Sequence, residues 1–525
     1  MTMTRVRAPE FPIDATWLNT NQPLTLKQLR GSIVLLDFWT YCCLNCLHVL
    51  PDLKYLEKKY PNSLTVIGVH SAKFDNEKEA ENVRQAILRY DIEHPVVLDS
   101  NLTIWGQYAV RAWPTLMLID PEGYVVGYLS GEGNRQVLDR SIAEMIREME
   151  AKGTINFPQL SLSLEKQQRP LTTPLAFPGK VLAEEESNGG AELAVRCFIA
   201  DTGHHRIVVS NSQGEVLQIV GTGKSGFQDG SFDEAEFGAP QGMAWDGEKA
   251  CLYVADTENH AIRCLDFNRK QVKTIAGTGE QSRNIHPQQG EALATAFNSP
   301  WDLEKIGERL YIAMAGSHQI WSMDLNAGTV ETYAGIGREA CFNGSLTEAA
   351  FAQPSGITTD GKELFVADSE VSSIRGVGLI EPAKSATGTG ATAAPIVRTV
   401  CGSGELFGFG DKDEEGFEVR LQHCLGVEYA QNYLWIADTY NHKIKRVDPK
   451  TGICQTLLGD VSSGNKDGCG TAAQFSEPSG LSATSSHLYI ADTNNHQIRV
   501  VELATLSVKT LPLIGLCAPS VCLPK

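Results

Sequence analysis

No window of the 525-residue sequence reaches the roughly 18 consecutive apolar residues that a membrane span needs, so no membrane partner is expected. Nor is there a run of lysine and arginine long enough to follow a phosphate backbone. With 45 basic residues against 63 acidic ones the formal charge is −18, and nucleic acid is excluded as an expected partner. Behind Arg5 and Arg7 there is no apolar h-region, which excludes a secretory signal at that point and makes a cytoplasmic location the expectation. The 13 cysteines are an odd number, so at least one stays unpaired. Apart from Cys42, Cys43 and Cys46 and the tail pair Cys517 and Cys522, they lie singly in apolar or turn segments, as small buried hydrophobes do. A reducing compartment fits that scatter better than a disulfide scaffold does.

What is present is ordinary globular composition, 42% hydrophobic and 21% charged, with 48 glycines that imply many turns. The length asks for two or more domains. Residues 1–150 alternate strand and helix signals. Residues 32–38 and 64–69 are continuous apolar runs, as strands buried on both faces of a sheet require. Between them Leu47, Leu50, Leu53, Leu56 and Tyr60 recur at helical spacing. A second helix is expected over residues 76–90, a short strand at 96–98, a hairpin over 114–128 around Asp120-Pro-Glu-Gly123, and a closing helix over 136–149. This is an α/β sandwich around a mixed sheet.

The chemistry lies where the first strand meets the following helix, in Asp37-Phe-Trp-Thr-Tyr-Cys-Cys-Leu-Asn-Cys-Leu-His48. A Cys-x-x-Cys at a helix N-terminus sets its first sulfur near unpaired N–H groups, which makes Cys43 the nucleophile and Cys46 the sheltered resolving thiol. There is no second Cys-x-x-Cys to complete a zinc site, and Cys46-x-His48 lacks the spacing of haem attachment, so no metal and no cofactor are expected.

This segment resembles the thioredoxin superfamily, and residues 71–108 with Ile119-Asp-Pro-Glu-Gly123 resemble its TlpA/redoxin branch. The resemblance implies that Asp37 is the buried acid that helps deprotonate the second cysteine. It implies that Pro51 kinks the active-site helix, and that Pro114, in Trp113-Pro114-Thr115, is the cis-proline packed against the disulfide. Cys42 stands where the family carries tryptophan, as core filler or as an auxiliary thiol, and Leu44-Asn45, Leu47 and Val49 also depart from the pattern. Redox potential and client preference do not carry across.

Residues 151–172 are polar, broken by Pro158 and Pro170, and read as a tether laid over a surface. From residue 173 to 515 a repeat follows, with an Asp-Thr-x-Asn-His core centred on Asp201, Asp256, Met314, Asp368, Asp438 and Asp492 at steps of 55, 58, 54, 70 and 54. Its six copies, with about four short strands each, predict a six-bladed β-propeller, with low complexity at 382–391 as a loop insertion and 516–525 as a tail. The aspartates, with His205, His260, His318, His442 and His496, are read as turn-forming groups that hydrogen-bond within and between blades.

The repeat resembles the NHL repeat, whose propellers usually serve as rigid binding platforms. The whole chain resembles the NHL-repeat-containing thioredoxin-like proteins. Longer members carry a further β-rich domain; this sequence stops at Lys525, so the expectation is that such a domain's role is absent. The leading expectation is a thiol–disulfide oxidoreductase or redox relay acting on protein clients held by the propeller. A redox-sensitive scaffold without turnover is the alternative. Thiol peroxidase chemistry, suggested by Thr40-x-x-Cys43, ranks below both, because Leu36 replaces the proline that the peroxiredoxin loop carries.

Overall fold

In the computed structural model the apolar run at residues 32–38 is a central strand, Ile33–Trp39, with all of its residues buried. The structure describes residues 5–152, 160–186, 194–380 and 394–521, so the insertion at 382–391 and Cys522 lie outside the described residues. Two units result, Met1–Leu171 and Thr172–Lys525.

In the first unit, strands β1 (Val6–Arg7), β2 (Trp17–Leu18), β3 (Ile33–Trp39), β4 (Leu64–His70), β5 (Val96–Leu98), β6 (Thr115–Ile119) and β7 (Tyr124–Ser130) form one sheet in the order β1-β7-β6-β3-β4-β5-β2. β3, β4 and β5 run parallel, while β6 is antiparallel to β3 and to β7. The fold is thioredoxin-like. The α-helices among the described residues are α1 (Leu44–Leu47), α2 (Leu50–Lys59), α3 (Ala80–Arg89), α4 (Thr103–Gln107), α5 (Arg135–Lys152) and α6 (Glu165–Gln168).

Two helices are shorter than their periodicity predicts. The helix after the cysteines is a single turn, α1, before α2 starts with Pro51 in its first turn, since proline has no N–H to continue the ladder. The helix expected from residue 76 begins as a 3₁₀ turn, Asn76–Lys78, and α3 starts after an extended Glu79. Part of the segment read as a tether belongs to the first unit. Leu160 packs on its apolar core, Leu162 pairs with Thr20, and Glu165 donates its N–H to Asn19 Oδ1 at 2.8 Å and binds Arg84 Nε at 3.0 Å.

The second unit is a six-bladed propeller. Each blade holds four consecutive antiparallel strands, innermost Lys180–Glu186, Pro240–Asp246, Pro300–Ile306, Pro354–Thr359, Gly426–Ala430 and Pro478–Ala483. The repeated aspartate ends the second strand of its blade. Its Oδ1 accepts a backbone N–H from the loop leading into that blade, as from Gly238, Ala352, Gln422 and Ser476. Its Oδ2 faces a buried cation: Arg206, Arg263, Arg375, Lys445 or Arg499.

The repeated histidine sits at positive φ and its Nδ1 accepts an N–H from the next blade. These bonds run from Ala239 to His205, Ser299 to His260, Gln353 to His318 and Glu477 to His442, at 3.0–3.1 Å. In the fourth blade Ser372 does the same with the N–H of His423. The ring is stitched shut when Phe177 donates to His496.

Two readings of the cysteines and the tail change. Cys251 and Cys264, read as lone thiols, are joined by a disulfide, because strand pairing sets Cys264 opposite Tyr253 and its Cα 6.2 Å from that of Cys251. Residues read as a tail reach the propeller core: Leu516 packs with Val181, Ile199 and Tyr489, where the first and last blades meet.

Candidate active site at Cys43 and Cys46

β3 carries Asp37 in mid-strand and ends at Trp39, so the chain turns over Thr40 and Tyr41 and enters α1 with Cys43 at its N-cap. Cys46 N donates to Cys43 O at 3.0 Å, which closes the turn and sets the two sulfurs on one side of it. Both are free thiols; Cys43 is partly exposed and Cys46 wholly buried. The thiols share a hydrogen bond. Burial first, then Cys43, then the charge of Asp37, hold the Cys46 thiol well above the ordinary thiol range. A partly exposed sulfur therefore lies beside a buried one.

Asp37 is fully buried, and neither carboxylate oxygen has a hydrogen-bond partner. Desolvation raises it to about 7, with His94 pulling down and Glu57 pushing up; His94 Nδ1 lies 3.4 Å from Glu57 Oε1. An acid of that strength exchanges its proton near neutrality, as a group taking the Cys46 proton must.

The folded chain binds the Asp37 proton more tightly than the unfolded chain, whose carboxyl titrates near 3.9. Ionising the acid therefore penalises the native state from about pH 4 upward, and the full penalty is reached above about pH 7. Asp37→Asn should stabilise the first unit by about 2–4 kcal/mol at pH 8 and leave it unchanged near pH 4. Denaturant unfolding at both pH values checks this; an equal effect at the two would remove the buried charge as its cause.

The Trp113–Pro114 peptide bond is cis. Pro114 O accepts from Gly131 N at 2.9 Å, and the Trp113 indole N–H donates to Ser71 O at 3.0 Å, which ties this loop to the end of β4. Cys42 is buried, its sulfur 3.8 Å from Thr40 Oγ1. His48 Nδ1 pairs with Glu132 Oε2 at 2.6 Å. Among the described residues no group of three or more His, Cys, Asp or Glu is arranged to hold a metal, and no helix is long and apolar enough to cross a membrane.

Three site residues were not legible in the motif. His94 and Glu57 reach Asp37 from other elements, and Glu77 reaches the loop before Cys43 from the turn after β4. The carboxylate of Glu77 accepts N–H bonds from Cys42 (3.0 Å), Lys73 (2.9 Å) and Phe74 (2.9 Å) and the hydroxyl of Thr40. Its partners are mostly backbone groups, which leave no side-chain signature to search for.

Fold and site together define a two-module protein, a thioredoxin-like unit with a Cys-x-x-Cys pair followed by a six-bladed propeller of NHL repeats. Residues 31–125 match the thioredoxin-like family model and residues 475–501 the NHL repeat. The chain is 41% identical over 539 residues to NHL repeat-containing protein 2 of Homo sapiens, covering 96% of this chain and 71% of that protein. It is 44% identical over 533 residues to Protein SUPPRESSOR OF QUENCHING 1, chloroplastic, of Arabidopsis thaliana, covering 98% of this chain but 49% of that one, so it spans about half of that relative's length. Over 116 residues it is 33% identical to Thiol-disulfide oxidoreductase ResA of Bacillus cereus, covering 22% of this chain and 65% of that protein. The chain belongs to the family of NHL repeat-containing protein 2.

Proposed function

We propose that the chain carries out thiol–disulfide exchange on protein clients, with the propeller as the platform that holds them. One observation carries the reading: a partly exposed Cys43 hydrogen-bonded to a wholly buried Cys46, backed by a buried acid raised to about 7. The Cys43 thiolate attacks one sulfur of the client disulfide, and the other client sulfur leaves as a thiolate. Cys46 gives up its proton, to Asp37, and attacks the Cys43 sulfur. The second client sulfur then leaves, the client is reduced by two electrons, and Cys43 and Cys46 are joined in a disulfide that an external dithiol reduces again.

Two observations speak against the other readings. The Thr40 hydroxyl is bonded to Glu77 and Cys42 rather than to Cys43, so the residue that echoed a peroxidase loop is engaged elsewhere. Cys42 is buried with its sulfur against Thr40 Oγ1, which favours core filler over the auxiliary thiol that a regulatory bridge would use. Reduction of insulin by the full chain with dithiothreitol is the test. Turbidity should develop with wild type and fall to the uncatalysed rate with Cys43→Ser; equal rates for the two would end the reading.

A further inference from the structure

The second blade carries a disulfide where other blades hold together without one. Cys251 opens the strand Cys251–Asp256, and Cys264 lies diagonally across from it on Ala261–Asp266, two strands already joined through six residue pairs. The third, fourth and sixth blades pair the same two strands over six residues as well. On the matching diagonal, counted from the repeated aspartate position, the third blade has Arg309 Nη1 donating to Ser322 Oγ at 3.1 Å. The fifth blade has the Arg446 guanidinium 4.4 Å over the Tyr433 ring there. A contact that those blades make without a covalent bond is made here between two sulfurs, and the hydrogen-bonded ladder does not depend on it.

The bond is also within reach. Cys251 belongs to the apolar cluster between the second and third blades, while Cys264 is partly exposed. Both border a cavity of about 440 Å³ that Tyr253, Lys249 and Arg269 also line. Lys249 Nζ lies 2.7 Å from Glu308 Oε2 and Arg269 Nη1 lies 3.0 Å from Asp266 Oδ2, so the charges at the rim balance.

We propose that Cys251 and Cys264 form a second redox site of the chain, a disulfide that dithiols open while the propeller stays folded. The thiolate of an incoming dithiol attacks the exposed Cys264 sulfur, the bond to Cys251 breaks, and Cys251 leaves as a thiolate that takes up a proton. The second thiol of the dithiol then loses its proton and attacks the mixed disulfide, and Cys264 leaves and is protonated in turn. Two electrons and two protons have passed to the propeller, and the dithiol has become a disulfide. The reverse exchange with a disulfide closes the pair again.

The test uses the full chain carrying Cys43→Ser and Cys46→Ser, so that the first unit takes no part. Dithiothreitol is added without denaturant, the reaction is quenched with a thiol-alkylating reagent, and tandem mass spectrometry scores Cys251 and Cys264. The pair should open, about tenfold faster in about tenfold more dithiothreitol, and the far-ultraviolet circular dichroism should stay that of the folded chain. Urea below the unfolding transition should change the rate by less than about twofold, whereas opening through unfolding would speed it at least about fivefold per molar urea. Glutathione disulfide, given to the reduced chain once dithiothreitol is removed, should close the pair again. A pair that resists dithiothreitol until urea unfolds the chain, that loses the folded spectrum when it opens, or that glutathione disulfide does not close, is a structural brace and overturns the proposal. Mixing the isotope-labelled variant with a catalytic amount of unlabelled wild type identifies the donor: faster opening assigns the Cys43–Cys46 dithiol of a second copy, and an unchanged rate assigns small dithiols. The rate without wild type owes nothing to Cys43, so a chain that fails to reduce insulin yet opens and closes this pair loses the exchange reading and keeps this site.

Discussion

Cys46→Ser should turn the chain from a turnover catalyst into a trap. The first step needs only the Cys43 sulfur, which is partly exposed, and the second needs a thiol within reach of it, which the buried Cys46 provides through the turn closed by Cys46 N and Cys43 O. Without that sulfur, insulin reduction should drop to the level of Cys43→Ser, while disulfide-linked adducts with clients build up on non-reducing gels. The adducts should disappear with reductant and be absent from the Cys43→Ser, Cys46→Ser double variant. Adding Cys42→Ser to Cys46→Ser should not raise the yield of adducts, because the Cys42 sulfur is engaged with Thr40 Oγ1, whereas that of Cys46 is hydrogen-bonded to Cys43. A clear rise would show that Cys42 resolves the bond; no adduct from either variant would remove the exchange reaction.

The largest effect on stability should come from the propeller, through Asp492→Ala. Asp492 Oδ2 sits 2.9 Å from Arg499 Nη1, both side chains fully buried, and its oxygens also take the N–H of Ser476 and the amide of Asn495. Removing the carboxylate leaves the buried Arg499 guanidinium with Asp467 as its remaining counter-charge and a loop N–H unpaired, at a cost of about 2–4 kcal/mol. The third blade shows how the same position works without ions. There Met314 and Trp321 occupy the places of the pair, and Trp321 packs edge-on against Phe297 at 5.4 Å, as Arg499 lies over Phe475 at 5.2 Å. The double variant Asp492→Met, Arg499→Trp should therefore recover most of the loss. Chemical denaturation of the three proteins measures it; a double variant as unstable as the single would mean that the ion pair itself, and not its satisfaction, holds the blade.

What could be read without coordinates is what lies close along the chain. Cys43 and Cys46 sit on one turn and helix, so spacing places them together, and the resemblance added Asp37 from the strand before them. Each blade repeats one local hairpin, so the aspartate and histidine phrases announce themselves. The parts that stayed hidden depend on pairing between distant segments. His94 meets Asp37 only because β5 lies beside β4. Cys251 meets Cys264 only because strand register makes them diagonal neighbours. Glu77 falls where a helix was expected to start, whereas the backbone turns there to deliver the carboxylate under Cys42.

The closure of the ring has a bearing on how the molecule is made. Phe177 and His496, which join the first and last blades, are 319 residues apart, and Val181 and Ile199 share their apolar cluster with Tyr489, Ile498 and Leu516. On a ribosome that emits the chain from its N-terminus, residues 1–171 can finish folding while most of the propeller is still to be synthesised. The first blade then waits with one apolar flank bare until residues 489–516 emerge. A nascent chain of this family thus carries a thioredoxin-like unit ahead of an open, adhesive arc of blades.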